Sequence, residues 1–301
     1  MKIVVSGASG LIGQPLVQAL RGDGHEVVRL VRREPKEPDE ARWDPAAGTV
    51  DAAALDGVDA AVNLSGANVG GRRWTEDYKR EIRDSRVDST HTLATALARL
   101  PRPPAVLLNG SAIGFYGDRG DEELTEDSPA GDSFLAGVVR DWEAAAAPAQ
   151  DAGIRVTNLR SGLVMSARDG AFGRLLPVFR LGLGGPLGGP RHAGQMWWSW
   201  ITLADEVGAI RFLLDHDVPG PVNLTGPAPA RNAEVTRELG KALHRPARLP
   251  VPYASLRAAL GEFAEEVMAS QRVLPTRLTA AGYTFAQPTL PEACRWLVSG
   301  R

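Results

Sequence analysis

Apolar and polar positions alternate along the start of the chain in the way that a strand, a helix and a second strand require. Residues 2–32 read KIVVSGASGLIGQPLVQALRGDGHEVVRLVR, in which a β-branched run enters a glycine-rich turn, a helical pattern follows, and a second β-branched run ends the stretch. This order predicts one βαβ unit of roughly 30 residues, with the helix beginning near Leu11. Pro15 falls in the first turn of that helix, where its missing N–H is harmless.

Similar patterns continue along the chain and predict an alternation of strands and helices. The predicted strands cover residues 59–65, 105–110, 154–159 and 221–224, and the predicted helices cover 75–100, with Thr75 as N-cap, 134–150 and 204–215. Arg42 and Trp43 are a further candidate strand. Strands that alternate with helices of this length favour an α/β fold with a doubly wound parallel sheet.

This pattern divides the chain into three parts. Residues 1–165 form the predicted dinucleotide-binding (Rossmann) domain, which residues 199–225 rejoin. Residues 166–198 are a glycine-rich and Trp-rich cleft segment, in which the tryptophans are expected to pack in a core or lid. Residues 226–301 alternate helical runs with prolines and predict a small, mostly helical lobe on the substrate side.

The three glycines of the first turn have separate roles in a phosphate-binding turn. Gly7 permits the turn off the strand, Gly10 lets the backbone approach a diphosphate, and Gly13 lets the helix pack closely. The helix N-terminus favours an anion through its free N–H groups and its dipole. A glycine-rich loop without a ligand is the alternative. The predicted binding residues of this turn are Gly7, Ser9, Gly10, Leu11, Ile12 and Gly13.

The end of the second predicted strand distinguishes NADP from NAD. An NAD site usually has Asp or Glu there, to bind the ribose 2′-hydroxyl, but this chain has Val31, Arg32 and Arg33. Arg32 can form charge-assisted hydrogen bonds with a 2′-phosphate, which a carboxylate would repel. The sequence therefore predicts NADP(H) as the cofactor, while Arg33 is expected to be solvated at the surface.

Composition and charge exclude several other classes of protein. The 34 basic and 36 acidic residues nearly balance and form no run, so we expect neither a nucleic-acid nor a membrane partner. No apolar stretch approaches the roughly 20 residues of a membrane helix.

A single cysteine, Cys294, and a predicted strand directly after Met1 indicate a cytoplasmic protein. The five histidines are scattered, so no metal site is predicted; His192 is a candidate substrate-side group or a surface residue.

Seven longer stretches carry a resemblance to a known family. They are NLSGANVGGRRWTEDYKREIRDSRVDST (63–90), SAIGFYG (111–117), DWEAAA (141–146), LRSGLVM (159–165), LGLGGPLGG (181–189), SWITLAD (199–205) and PVPYASLRAALGE (250–262). The chain resembles the epimerase-family atypical, extended-type short-chain dehydrogenases/reductases with a C-terminal domain of unknown function.

The resemblance implies further cofactor contacts. Leu64, Ser65 and Gly66 would pass beside the adenosine and diphosphate, and Val164 would approach the nicotinamide. The resemblance also places Glu81 and Arg86 around NADP, on one face of the helix 75–100. The alternative for these two charged residues is a solvated helix face.

The resemblance fails at the proton relay. Ordinary extended members use a Tyr, a Lys four residues later and a Ser, because a phenol with a pKa near 10 needs a neighbouring cation to act at neutral pH. The residues four beyond the four tyrosines are Ile82, Gly120, Arg257 and Gln287, so no YxxxK motif exists. Alignment on Glu143 puts Leu135 and Val139 at the Tyr and Lys positions. Alignment on Tyr116 puts Ala112 at the Ser position.

The substitutes for this relay are weak, and the catalytic residues stay unknown. Tyr116 is a candidate acid, with packing as the alternative, and Ser111 is a candidate donor to a substrate carbonyl, with turn capping as the alternative.

Two functions remain open. One is an NADP-dependent oxidoreductase or epimerase-like enzyme acting on an unknown small molecule. The other is a non-catalytic NADP(H)-binding redox sensor that acts through a partner. The protein is expected to be a monomer or a homodimer, since extended relatives pair through the helices equivalent to 75–100 and 134–150.

Overall fold

The computed structural model describes residues 1–189 and 193–300. The strands are β1 (Lys2–Ser6), β2 (Glu26–Val31), β3 (Glu40–Asp44), β4 (Thr49–Val50), β5 (Ala60–Asn63), β6 (Val106–Ala112), β7 (Glu123–Leu124), β8 (Arg155–Ser161), β9 (Leu163–Met165), β10 (Trp197–Trp198), β11 (Trp200–Thr202), β12 (Gly220–Leu224), β13 (Ala230–Arg231) and β14 (Arg272–Val273). The helices are α1 (Gly13–Gly22), α2 (Glu76–Ala98), α3 (Phe134–Ala144), α4 (Ala147–Asp151), α5 (Gly170–Arg180), α6 (Leu203–Asp215), α7 (Asn232–Ala242), α8 (Tyr253–Leu260), α9 (Phe263–Met268), α10 (Thr276–Ala280) and α11 (Leu290–Val298).

Eight strands form one sheet in the order β12-β8-β6-β5-β1-β2-β3-β4. All neighbours in this sheet pair in parallel except β3 and β4, which are antiparallel. The chain winds outward from β1 on both sides, so the strand order reverses between β1 and β5. Sheets of this kind bind ligands at the carboxyl edge beside such a reversal. The doubly wound α/β fold is confirmed.

Helices cover both faces of the sheet. On one face, α1 and α6 bury apolar side chains such as Leu16 and Ile210 against Val5 and Val62. On the other face, α2 and α4 cover a second apolar cluster. Thr75 caps α2 as predicted, because its hydroxyl accepts a hydrogen bond from the amide of Tyr78.

Two helix predictions differ from the structure. The predicted helix 134–150 is broken into α3 and α4, because the ring of Pro148 clashes with the carbonyl four residues earlier and lacks an N–H. The alanine-rich composition concealed this break. The first helix begins at Gly13, with Ile12 as N-cap, since residues 7–12 form the turn itself.

A third apolar cluster forms the core of the C-terminal part. It joins α5, α7 and α11 with the strands of the Trp-rich segment, and Phe172, Trp198, Trp200 and Cys294 are among its buried members. The tryptophans at positions 198 and 200 are therefore core residues. Leu278 of α10 instead packs into the cluster shared by the sheet and α1, so the lobe is anchored back on the main sheet. Across residues 1–189 and 193–300, the helices are too short or too polar to cross a membrane.

Candidate dinucleotide site and the adjoining cleft

The turn after β1 is pressed against neighbouring backbone at two glycines. Gly7 has φ +67°, and a Cβ built on it would lie 2.5 Å from the carbonyl oxygen of Leu64. A Cβ on Gly13 would lie 2.2 Å from the carbonyl oxygen of Gly7. Both approaches are closer than any side chain allows, so the turn holds its shape only with glycine at these positions.

This turn leaves backbone amides open at the N-terminus of α1. Gly10 N donates to Gly7 O at 3.0 Å and Gln14 N donates to Gly10 O at 3.1 Å. Within the described part of the chain, the amides of Ser9, Leu11 and Ile12 have no acceptor, and no side chain caps α1. Unpaired amides together with the positive end of the helix dipole form a ready site for an anion such as a diphosphate.

The two arginines after β2 differ in their surroundings. The side chain of Arg33 forms a two-point ion pair with Glu40, at 2.6 and 2.8 Å, and this contact holds the pKa of Glu40 down at about 2. Arg33 is exposed at the surface as expected, but it is also tied to Glu40, which the sequence did not predict. Arg32 is exposed and makes no ion pair with another described residue. Val31 is half-buried at the end of β2. Arg32 is thus the cation left for a ligand.

A row of polar side chains crosses the sheet just inside its carboxyl edge. Ser6, Asn63, Asn109 and Asn158 are register partners on β1, β5, β6 and β8. Their side chains bond in sequence, from Ser6 Oγ to Asn63 Oδ1 at 2.5 Å, from Asn63 Nδ2 to Asn109 Oδ1 at 3.0 Å and from Asn109 Nδ2 to Asn158 Oδ1 at 3.1 Å. Sequence reasoning missed this row, although an Asn or Ser near the end of each apolar strand was a visible signal.

The polar row fixes what Ser65 can offer to a ligand. The amide of Ser65 donates to Asn63 Oδ1 at 3.4 Å, which identifies this atom as an acceptor oxygen. The Ser6 hydroxyl must therefore donate to it. The hydroxyl of Ser65 then donates to Ser6 Oγ at 3.0 Å. Ser65 therefore presents an acceptor, which suits a hydroxyl group. Leu64 beside it is half-buried, and Gly66 is exposed at the edge.

Glu81 and Arg86 lie on different faces of α2, which corrects the expectation. Five residues correspond to about 140° around a helix, so they cannot share a face. Glu81 is exposed and pairs with Arg72. Arg86 turns inward: its guanidinium lies 5.1 Å from the Trp142 ring centroid and 3.1 Å from where a Gly66 Cβ would be.

Arg86 is a cation without a counter-charge among the described residues. Its one hydrogen bond goes to the carbonyl of Ile82, in the preceding turn of the same helix, at 2.8 Å. Burial lowers the pKa of the guanidinium to about 10. A partly desolvated arginine beside the edge of β5 is suited to an anionic ligand.

The positions of the missing relay are apolar in the structure as well. Leu135 is half-buried in the first turn of α3, among residues of α2, and Val139 is buried one turn later. Neither side chain can hold or move a proton. The standard Tyr–Lys chemistry therefore has no counterpart on α3.

Ser111 and Tyr116, the candidate substitutes, belong to one buried network. Ser111 Oγ donates to Glu143 Oε1 at 2.6 Å, and Glu143 accepts two hydrogen bonds from Arg160. Tyr116 is fully buried; its hydroxyl donates to Asn223 at 2.7 Å and accepts from Arg160 at 3.0 Å. Burial raises the pKa of Tyr116 further above 10. This geometry favours the packing alternative for Tyr116, and it commits the Ser111 proton to Glu143.

Val164 lies in β9 beyond the end of β8, half-buried, and pairs with Ile201. Its position at the carboxyl edge suits the predicted contact with a nicotinamide ring. His192 lies outside the described residues.

Comparisons with known proteins identify relatives over nearly the whole chain. Residues 3–225 match the NAD dependent epimerase/dehydratase family, and residues 251–297 match a domain of unknown function, DUF1731. The chain is 44% identical over 293 residues to epimerase family protein Mb2239 of Mycobacterium bovis, covering 97% of this chain and 95% of that protein. It is 38% identical over 304 residues to human epimerase family protein SDR39U1, covering 99% and 100%.

Solved structures show the same fold. The crystal structure of human SDR39U1 (isoform 2) with NADPH superimposes with a TM-score of 0.91 at 36% identity, covering 100% of both chains. The Thermus thermophilus UDP-glucose 4-epimerase, in complex with NAD, gives 0.76 at 19% identity, covering 100% of this chain and 98% of that chain. At that identity, the likeness concerns the fold alone.

Proposed function

Because the chain belongs to the NAD dependent epimerase/dehydratase family, we propose that it binds NADP(H) and acts as an oxidoreductase or epimerase-like enzyme on a small molecule. The observation that carries the cofactor assignment is the open anion site at the N-terminus of α1, together with Arg32, which is exposed and unpaired among the described residues, at the end of β2. The NADPH in the human relative's structure supports the same choice.

The residues present fit a phosphorylated dinucleotide. A side chain at Gly7 or Gly13 would collide with neighbouring backbone and move the turn whose open amides a diphosphate needs, and both positions are glycine. Arg32 would pair with the 2′-phosphate, whereas a carboxylate at the end of β2 would repel it. Ser65 would accept a hydrogen bond from a ribose hydroxyl, and Arg86 would supply positive charge beside Gly66.

When bound, NADP(H) supplies or accepts a hydride, and the chain must then handle the accompanying proton. Leu135 and Val139 cannot do so, and Ser111 and Tyr116 are engaged in the Glu143–Arg160 network. A proton-handling group on another element is therefore needed for turnover.

Titration calorimetry of the full chain with NADPH and with NADH tests the cofactor assignment. We expect NADPH to bind at least about tenfold more tightly, because a charge-assisted contact with the 2′-phosphate contributes more than 1 kcal/mol. If neither NADPH nor NADH binds at millimolar concentration, the proposal is refuted.

A second function is favoured by the apolar Leu135 and Val139. A protein without a proton relay at the usual place can bind NADP(H) and report its redox state to a partner without turnover. Anaerobic NADPH oxidation, followed at 340 nm against a panel of aldehydes, ketones and quinones, separates the two. Consumption of NADPH with a carbonyl compound supports the enzyme, and tight binding without consumption across the panel supports the sensor.

A further inference from the structure

Glu206, in the first turn of α6, is completely buried, and no cation of the described residues pairs with it. Its side chain has no exposed surface, and Oε1 accepts a hydrogen bond from Ser161 Oγ at 2.5 Å. Its second oxygen, Oε2, is buried and has no hydrogen-bond partner among the described residues. A buried carboxyl group with an open oxygen is costly to keep in a fold, so its position calls for a functional explanation.

Ser161, which donates a hydrogen bond to Glu206, lies beside the strand position at which a serine is missing. Ser161 is the last residue of β8 and the register partner of Ala112 on β6, the position at which the family resemblance expects the catalytic serine. Register partners on neighbouring parallel strands point to the same side of the sheet. Ser161 is half-buried at the carboxyl end of β8, and its hydroxyl contacts the buried carboxyl group of Glu206. The chain thus carries a hydroxyl one strand away from the missing one.

The same edge would hold the nicotinamide half of a dinucleotide. Arg32, which follows β2, would hold the adenosine side, and the glycine turn after β1 would hold the diphosphate. The other half must then extend in the opposite direction, over β5, β6 and β8. Ser161 ends β8, and Val164 follows three residues later.

The other charged side chains named on α6, Asp205 and Arg211, already have partners other than Glu206. Asp205 accepts hydrogen bonds from the amides of Ala286 and Gln287, and its backbone carbonyl accepts one from the Tyr283 hydroxyl. Arg211, at the far end of α6, pairs with Asp23 of α1.

Strands β6 and β8 place no cation beside Glu206 in the described chain. Arg160 points to the opposite face of the sheet, toward Glu143, and Arg155 donates to carbonyls at the end of α6. With burial uncompensated by a cation, the pKa of Glu206 is raised to about 8. Glu206 is therefore mostly protonated at neutral pH.

We propose that Glu206, acting through Ser161, is a proton site linked to the oxidation state of the bound nicotinamide. The inference rests on the proposed binding of NADP(H). Beside the neutral reduced ring the carboxyl group keeps its proton, and beside the positively charged oxidised ring it releases the proton to water.

The same pair can complete a carbonyl reduction. As hydride leaves the reduced ring for the carbonyl carbon, the C=O π pair moves to oxygen. For this step the protonated Glu206 donates to Ser161 Oγ, the reverse of the hydrogen bond that Ser161 donates to Oε1. Ser161 then gives its proton to the substrate oxygen and takes one from Glu206. The products are an alcohol, the oxidised ring and a carboxylate, which later recovers a proton from water.

The experiment needs no knowledge of the substrate. NADP+ and NADPH are titrated calorimetrically into the full chain at pH 7.5, in phosphate, HEPES and Tris buffers, whose ionisation enthalpies differ. The dependence of the observed enthalpy on buffer then counts protons. We expect about half a proton or more to be released with NADP+ and essentially none with NADPH, because only the oxidised ring lowers the pKa of Glu206. The ratio of NADPH to NADP+ affinity should fall at least about threefold between pH 6.5 and pH 8.5.

Variants identify the group. E206Q should bind both nucleotides and release no proton with either. S161A should move the release to higher pH, because the hydrogen bond from Ser161 lowers the pKa of Glu206. D88N is the matched control: burial and Asp84 raise the pKa of Asp88 too, but it lies on α2, across the sheet from α6, so its loss should leave the release unchanged.

Two results would overturn the inference: equal proton counts for NADP+ and NADPH in the unaltered chain, or a release that persists in E206Q. The comparison in the unaltered chain and the S161A shift remain decisive if E206Q does not fold. Absence of binding by either nucleotide would instead overturn the proposed function, and this inference with it, and the binding isotherm alone shows that case.

Discussion

Arg160 and Glu143 form a two-point ion pair beneath the carboxyl edge of the sheet, with Nε to Oε1 at 2.8 Å and Nη2 to Oε2 at 2.9 Å. The arginine side chain is 4% exposed and the glutamate side chain 14%. The pair also bonds the hydroxyls of Ser111 and Tyr116. Groups that a sequence offers as catalytic candidates are therefore held in a structural network behind the site.

Removal of one partner of this pair should strongly destabilise the fold. E143A would leave the Arg160 guanidinium buried without its counter-charge, and we expect a loss of about 3 kcal/mol in the free energy of unfolding. Urea denaturation measures it. R211A, which breaks the more exposed pair with Asp23, is the control and should cost less than about 1 kcal/mol. Equal losses would contradict the buried role of Arg160 and Glu143.

Tyr116→Phe should lower stability without changing cofactor affinity. The change removes hydrogen bonds with Asn223 and Arg160 at a fully buried site, and we expect a cost of about 1–2 kcal/mol. Y253F, at an exposed tyrosine, is the matched control and should be nearly neutral. If a reductase activity is found and Y116F abolishes it while the fold stays intact, Tyr116 is an acid after all.

The first βαβ unit could be predicted from the sequence because its signals are local. The strand, the three glycines and the helix stand within 32 residues, and the structure places Gly7 and Gly13 against backbone as the motif requires. The absence of a relay was equally visible, since only four tyrosines had to be checked.

Features that depend on strand register could not be read in this way. Ser161 and Glu206 are 45 residues apart, and Ser111 and Glu143 are 32 apart; each pair meets only because the strand order and the helix packing bring it together. An acid in the first turn of a helix is ordinarily explained by the helix dipole, so Glu206 gave no signal of its burial.

Arg32→Ala should weaken NADPH binding and leave NADH binding unchanged. The 2′-phosphate loses its charge-assisted partner, so we expect a 10- to 100-fold weaker Kd for NADPH, corresponding to about 1.4–2.7 kcal/mol. The adjacent R33A is the matched control: Arg33 is tied to Glu40, so its loss should change stability more than nucleotide preference. Titration calorimetry with both nucleotides checks this, and equal weakening of NADPH and NADH by R32A would contradict the assignment.

Gly13→Ala should weaken both nucleotides alike. Its Cβ would lie 2.2 Å from Gly7 O, so the turn must move and the open amides lose their alignment. We expect at least about a tenfold loss of affinity for NADPH and NADH. Gly22→Ala, at the other end of α1, is the control, because its Cβ meets nothing within 4 Å. A G13A variant with unchanged affinity would show that the ligand does not use this turn.

The buried Glu206 should make the protein less stable as the pH rises. Its pKa in the folded chain is about 8, against an ordinary value of 4.5, so between these values the folded state keeps a proton that the unfolded state has lost. The stabilising effect is fully present below about pH 4.5, and it is lost as the pH rises through about 8. Between pH 6 and pH 8 the unaltered chain should lose about 2 kcal/mol relative to E206Q, which cannot ionise there. Urea denaturation of both chains at intervals of one pH unit measures this difference. Parallel stability curves would mean that Glu206 is ionised in the fold, and the proton that an oxidised ring is expected to displace would then not exist.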